Sequence, residues 1–148
     1  MVEVRVLGPV ELIDGAEVVR LAPVERTLLA ALAARIGERA AVEVLEDALW
    51  PEQRPSSARK TLQGHVMRLR RTMGASAIVE QSGGYRLDPE VVDVDARRIA
   101  RLLAEGRDAI GHGEADQAVG LLRKAQTMFR GHPYADVPDA QKAGAKKK

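Results

Sequence analysis

The sequence predicts an α+β fold: a small antiparallel sheet, three helices, a β-hairpin and then a pair of helices. Three observations predict it. Near the start, Val2, Val4 and Val6 alternate with Glu3, Arg5 and Leu7, and an Asp14-Gly15 turn follows between two further strand-like runs. In the middle, three segments repeat apolar residues at helical spacing, each closed by Gly or Pro. After them, two short runs flank Gln81-Ser82-Gly83-Gly84, and helical spacing then resumes twice.

The elements follow in order. Val2, Val4 and Val6 make a half-buried strand, and Gly8-Pro9 turns the chain. Residues 10–13 and 17–21 are the two arms of a hairpin closed by Asp14-Gly15. Pro23 suits the first turn of a helix, Leu28, Leu29, Leu32 and Ile36 give it an apolar stripe, and Gly37 closes it. A second helix spans residues 42–50, and Pro51 and Pro55 bracket the polar loop that ends it. Trp50, at the end of that helix, is expected to anchor the core.

Ser56 or Ser57 caps a third helix, which runs to Met73 and is stopped by Gly74. At about 100° per residue, Leu62, Val66, Leu69 and Met73 fall on one narrow stripe. Residues 78–80 and 85–87 pair as a hairpin, and Pro89 marks a boundary. Two more helices, about residues 94–110 and 114–129, are joined by Gly111-His112-Gly113 as an αα-hairpin. The expected organisation is a first domain over residues 1–89, a helical hairpin over residues 90–135, and a disordered tail over residues 136–148.

Composition narrows the function. Hydrophobic content of 45% supports a packed core, while aromatic content of 3% argues against single-strand binding by base stacking. There is no cysteine, so disulfides and thiolate metal sites are excluded. His65, His112 and His132 are scattered, and neither a metal nor a cofactor is expected. No nucleophile elbow, phosphate loop or catalytic pair appears, so no enzyme is expected. No apolar run approaches the roughly 20 residues of a membrane span, and no secretory signal is visible; a cytoplasmic protein is expected.

The formal net charge is only +2, but the charges are segregated. Between Gln53 and Val79 there is no acid, while Arg54, Arg59, Lys60, Arg68, Arg70 and Arg71 supply six positive charges. Acids gather instead at Glu43, Glu46 and Asp47, and again at Asp88, Glu90, Asp93 and Asp95. A basic helix leading into a tight hairpin suits a double helix: the helix fills a major groove and the hairpin reaches along the backbone. Opposite the apolar stripe lie Lys60, Gln63, Gly64, Met67, Arg68 and Arg71. Arg68 is the candidate for reading guanine O6 and N7, and Gln63 for reading adenine. Gly64 lets the backbone lie close to the groove at a cost of about 1 kcal/mol in helix propensity. Lys60, Thr61, His65, Arg70 and Arg71 fit phosphate contacts. In the hairpin, Tyr85 is expected to pack on the core with its hydroxyl towards phosphate, while Ser82 and Arg86 touch the backbone. Arg54 and Ser56 precede the helix, whose positive N-terminal end favours anions.

Strands, three helices and a β-hairpin in this order make a winged helix-turn-helix. The chain resembles the OmpR/PhoB-type domain of the antibiotic-regulatory activators, the SARP family of AfsR, DnrI and RedD, with EmbR-like regulators sharing it. The resemblance is carried by Val6-Leu7-Gly8-Pro9-Val10, by Leu28-Leu29-Ala30-Ala31-Leu32-Ala33 and by Asp47-Ala48-Leu49-Trp50-Pro51. It continues through residues 61–71 and Gly83-Gly84-Tyr85-Arg86-Leu87. Val92-Asp93-Val94-Asp95 with Arg130-Gly131 resembles the opening of the bacterial transcriptional activator domain, a helical module of tetratricopeptide-like repeats. Only the first hairpin of that module fits here. Many relatives carry a basic residue before the wing glycines where this chain has Gln81.

The resemblance implies an activator that binds direct repeats on double-stranded DNA near promoters, two protomers side by side, in control of a secondary-metabolite cluster. It also implies that Pro51, Glu52, Gln53, Arg54 and Pro55 form the loop that touches RNA polymerase. Two rival readings remain: an interaction module working through the C-terminal helical hairpin, and a truncated competitor that occupies operators without activating.

Overall fold

The structure is a computed structural model and describes residues 2–137. Strands β1 (Val2–Arg5), β2 (Glu11–Asp14) and β3 (Glu17–Val19) form an antiparallel meander. Val2 and Val4 point into the core while Glu3 and Arg5 lie half-exposed, as the alternation requires. Gly15, at φ +62°, supplies the left-handed residue of the β2–β3 turn.

Helix α1 (Pro23–Ala33) buries Leu28, Leu29 and Leu32. It ends three residues before Ile36; the chain then turns until Gly37, at φ +83°. A two-residue strand, β4 (Ala40–Ala41), leads directly into α2 (Val42–Leu49). Helix α3 (Ala58–Met73) follows the loop and buries Leu62, Val66, Leu69 and Met73, the stripe read from periodicity. Ser57 is its N-cap, yet its hydroxyl lies 3.4 Å from the Thr61 hydroxyl and makes no cap bond. Strands β5 (Ile78–Gln81) and β6 (Gly84–Leu87) form the wing, and β4 joins them in a three-stranded sheet of order β4-β6-β5. Leu28, Leu29, Leu32, Leu45, Leu62, Leu69 and Leu87 are essentially inaccessible in the main core beneath these helices. Each such leucine contributes roughly 1.5–3 kcal/mol of hydrophobic stabilisation.

Strand β7 (Val92–Val94) lies past the boundary expected at residue 89, and it pairs parallel with β1, Val2 opposite Val92 and Val4 opposite Val94. The first sheet is therefore four-stranded, in the order β3-β2-β1-β7. Helices α4 (Asp95–Gly111) and α5 (Ala115–Thr127) form the expected hairpin, and α4 packs it against β1 and β7 of the same sheet. Leu7, Ile99 and Ala125 make a second, small core where hairpin and sheet meet.

After α5 the chain returns to the first sheet. The Arg130 N–H donates to the Leu7 carbonyl at 2.7 Å, and the Tyr134 N–H donates to the Val6 carbonyl at 2.8 Å. The Arg130 guanidinium grips the β1–β2 turn through Glu11 and the Pro9 carbonyl, both at 2.9 Å. Two segments singled out in the sequence, Gly8-Pro9 and Arg130-Gly131, thus meet in space. Asp136 and Val137 were expected to begin the disordered tail. Instead Asp136 accepts from the Val10 N–H at 2.8 Å and pairs with Arg26 at 3.2 Å, while Val137 is buried. The rest of the expected tail, residues 138–148, lies outside the described residues. No helix among the described residues is long and apolar enough to cross a membrane.

Candidate nucleic-acid interface

The core stripe of α3 sets the direction of its other face. With Leu62, Val66 and Leu69 held under α1 and α2, Lys60, Gln63, Met67, Arg68 and Arg71 are exposed, with Gly64 half-exposed among them. Met67, at 53% accessibility, is an apolar side chain on a basic face. A Cβ on Gly64 would meet nothing within 4 Å in the free protein, so no internal contact explains this glycine.

Not every cation of the segment is free. Lys60 and Arg71 make no ion pair with another described residue, whereas four arginines are engaged. Arg59 sits at the edge of the acidic group on α2, 3.8 Å from Glu43 and 3.9 Å from Glu46. Arg54 was expected to bind phosphate; its guanidinium is instead turned onto α2. It bridges to Glu46 at 3.0 Å, to Asp47, and to the Glu43 carbonyl at 3.2 Å. Glu46 is 5% exposed, and a buried carboxylate requires such a partner. The Asp47 hydrogen bond, aided by the charges of Glu46 and Glu43, raises the guanidinium pKa further above its usual value. Arg54 therefore fastens the loop at residues 51–57 to α2, and Pro51, Glu52, Gln53, Pro55 and Ser56 stay exposed around it.

Arg70 takes a comparable internal role. Its Nε donates to the Ile78 carbonyl at 3.0 Å, and its guanidinium lies 5.9 Å from the centre of the Tyr85 ring. It joins α3 to the wing rather than standing out towards a ligand. Tyr85 is 4% exposed and belongs to the main core, so the reading of its hydroxyl as a phosphate contact is replaced by support of the wing. Burial, and then the charge of Glu80, raise its phenol above the usual tyrosine range. Thr61 and His65 are half-buried at the side of α3.

The wing tip turns through Ser82 at φ +42° and Gly83 at φ +77°, the two left-handed residues of a tight hairpin. The Ser82 carbonyl accepts from Arg39 at 3.2 Å, and Arg86 donates across the hairpin to Gln81 at 3.2 Å. Arg39 was not anticipated beside the wing, because its position depends on the β4–β6 pairing. Ser82 is exposed and Arg86 half-exposed on the wing. No group of three or more His, Asp or Glu among the described residues is placed to hold a metal ion.

A sheet, three helices with the third displayed and a β-hairpin wing define a winged helix-turn-helix, the OmpR/PhoB-like class of DNA-binding domain. Comparison with known proteins agrees. Residues 15–87 match the family described as transcriptional regulatory protein, C terminal, and residues 94–147 match the bacterial transcriptional activator domain. The regulatory protein AfsR of Streptomyces griseus is 37% identical over 134 residues, covering 90% of this chain and 14% of AfsR. The regulatory protein DnrI of Streptomyces peucetius is 32% identical over 154 residues, covering 96% of this chain and 57% of DnrI. A solved structure of Mycobacterium tuberculosis EmbR, in complex with a low-affinity phosphopeptide, matches with a TM-score of 0.86 at 26% identity. That match covers 99% of this chain and 42% of the EmbR chain. The chain belongs to the SARP family, whose members are transcriptional regulators and not enzymes. It spans only part of the length of each of these relatives.

Proposed function

We propose that this chain is a cytoplasmic regulator that binds double-stranded DNA in a sequence-dependent way, with α3 in the major groove and the wing along the backbone. The observation that carries this reading is the outward face of α3. Lys60, Gln63, Arg68 and Arg71 are exposed together on a helix without a single acid, opposite a fully buried stripe. Such a face has the dimensions and charge of a major-groove reader. Arg68 and Gln63 are assigned to base edges. Lys60, Arg71, Arg86 and Ser82 are assigned to phosphates, with Ser56, Thr61 and His65 at the margin and Gly64 and Met67 at closest approach.

The finer reading draws on the family. Two copies lie on direct repeats near a promoter, the loop of Pro51, Glu52, Gln53 and Pro55 meets RNA polymerase, and the regulated genes form a secondary-metabolite cluster. Arg54 supports that loop from within. A second reading has one observation in its favour. On the helical hairpin, Ile110 is 62% exposed, Val119 46% and Leu122 42%, and Phe129, just past α5, is 48% exposed. Apolar side chains of this size at the surface suit a protein contact, and the hairpin then adds an interaction surface to the DNA-binding domain.

Titration of duplex affinity against salt tests the central claim. With Lys60, Arg71 and Arg86 neutralising about three phosphates, the log–log slope is expected near about −3. A flat response would remove the DNA reading and favour the interaction module. Within the interface, Arg68→Ala is expected to cost about 1–3 kcal/mol and to relax base preference at one position. Lys60→Ala is expected to weaken all sequences alike, with a shallower slope. An unchanged ranking of operator variants in Arg68→Ala would show that Arg68 does not read a base.

A further inference from the structure

Glu25 lies in the first turn of α1, where a carboxylate offsets the helix dipole, and nothing else in the sequence marks it. The fold carries it to the side of α3. Its Oε2 is 3.3 Å from Nδ1 of His65, and its Oε1 is 3.8 Å from Nη1 of Arg68. Arg68 Nη1 is itself 2.8 Å from the same His65 nitrogen. The side chains of Glu25 and His65 are each 13% exposed, whereas that of Arg68 is 57% exposed. A part-buried carboxylate on another helix thus holds one edge of the guanidinium assigned to base reading.

Resting on the duplex-binding reading above, we infer that Glu25 is a positioning residue for Arg68 and thereby a determinant of base specificity. An unrestrained arginine on a basic helix has many rotamers, and any nearby phosphate satisfies it. Holding its guanidinium beside Glu25 removes part of that freedom before DNA arrives. The carboxylate also repels phosphate oxygens, while guanine O6 and N7 are uncharged acceptors that fit the planar fork with two bonds. The pairing therefore biases Arg68 away from backbone and towards bases.

His65 gives the cluster two settings. Its Nδ1 either accepts a hydrogen bond from Arg68 or, when it carries a hydrogen, donates one to Glu25. In the first setting Arg68 is docked on the ring. In the second, Glu25 keeps the ring and Arg68 is released to the groove.

The test uses Glu25→Gln, which keeps the shape and removes the charge. The probes are a duplex selected from a random pool and a random-sequence duplex of equal length. The ratio of the two affinities is expected to fall roughly two- to fivefold, as loss of an exposed ion pair allows. The gain is expected on the random duplex, and the salt slope there steepens by about one. In an Arg68→Ala background the same substitution should leave the ratio unchanged.

Without DNA, 15N NMR of the free protein should show the Arg68 Nε–H and His65 ring signals moving in Glu25→Gln. Unmoved signals, or an equal change on both duplexes regardless of Arg68, would reduce Glu25 to a helix-end charge and overturn the inference. A salt-independent duplex affinity of the unsubstituted protein would instead show, before any variant is made, that the DNA reading itself has failed.

Discussion

Gly84→Ala is expected to destabilise the protein by about 3 kcal/mol and to abolish tight duplex binding. A Cβ at this position would lie 2.3 Å from the Ala40 carbonyl oxygen and 3.0 Å from its carbon. Both are backbone atoms of β4, which pairs with β6 through Ala40 opposite Tyr85 and Ala41 opposite Gly84. Backbone cannot rotate aside as a side chain does, so the strands must part. Parting them frees the wing from the edge of α2 and loosens Tyr85, on which Arg70 rests. Urea unfolding measures the loss, and duplex affinity measured well below the new midpoint separates wing displacement from unfolding. A variant with unchanged midpoint and unchanged affinity would mean that β4 and β6 are not closely paired in solution.

Asp95→Ala is expected to cost about 3 kcal/mol by a different route. The Asp95 carboxylate is 2% exposed and accepts from the Val6 N–H at 2.8 Å and the Leu7 N–H at 3.3 Å. It is the first residue of α4, and it holds the end of β1 to the start of the helical hairpin. Alanine leaves both buried donors without their acceptor. Burial raises the carboxyl above its ordinary range, and the N–H bonds from Val6, Leu7 and Ala96 and the charge of Arg130 pull it back only in part.

That direction sets the pH dependence of stability. A group whose folded pKa lies above its unfolded value binds protons more tightly in the folded state. Its contribution to stability therefore grows as pH falls from above the raised folded value to below the ordinary aspartate value. The gap in urea midpoint between the unsubstituted protein and Asp95→Ala should accordingly widen towards acid pH. A gap that narrows there would show that the ionised form is the one the fold favours.

These two residues mark where local pattern stops being informative. The buried stripe of α3, the alternation of β1 and the tight wing turn were legible because each follows from a period of 3.6 or 2, or from glycine, within one short segment. The face of α3 carrying Lys60, Gln63, Arg68 and Arg71 was legible for the same reason, since a helix that buries one stripe must display the opposite one. Strands β4 and β7 were not legible. Two alanines carry no alternation, and the Val-Asp-Val triplet alternates over too few residues to mark a strand by itself; they become strands because β6 and β1 offer them partners. Trp50 was expected in the core, yet it caps α2 half-exposed, because the chain turns away at Pro51 before its ring reaches the interior.

Within the interface the same division holds. From composition, six cations between Gln53 and Val79 look alike. Tertiary contact sorts them: Arg54 onto the acids of α2, Arg70 onto Ile78 and Tyr85, Arg68 beside Glu25 and His65. By itself the sequence determined which residues are apolar at helical or strand spacing, and so which helix is basic and which of its faces is turned out. Only the tertiary structure decided which of those charges are spent inside the molecule and which remain for a ligand. The reason is that periodicity acts over a few residues, whereas an ion pair depends on the approach of groups such as Glu25 and Arg68 that lie far apart along the chain.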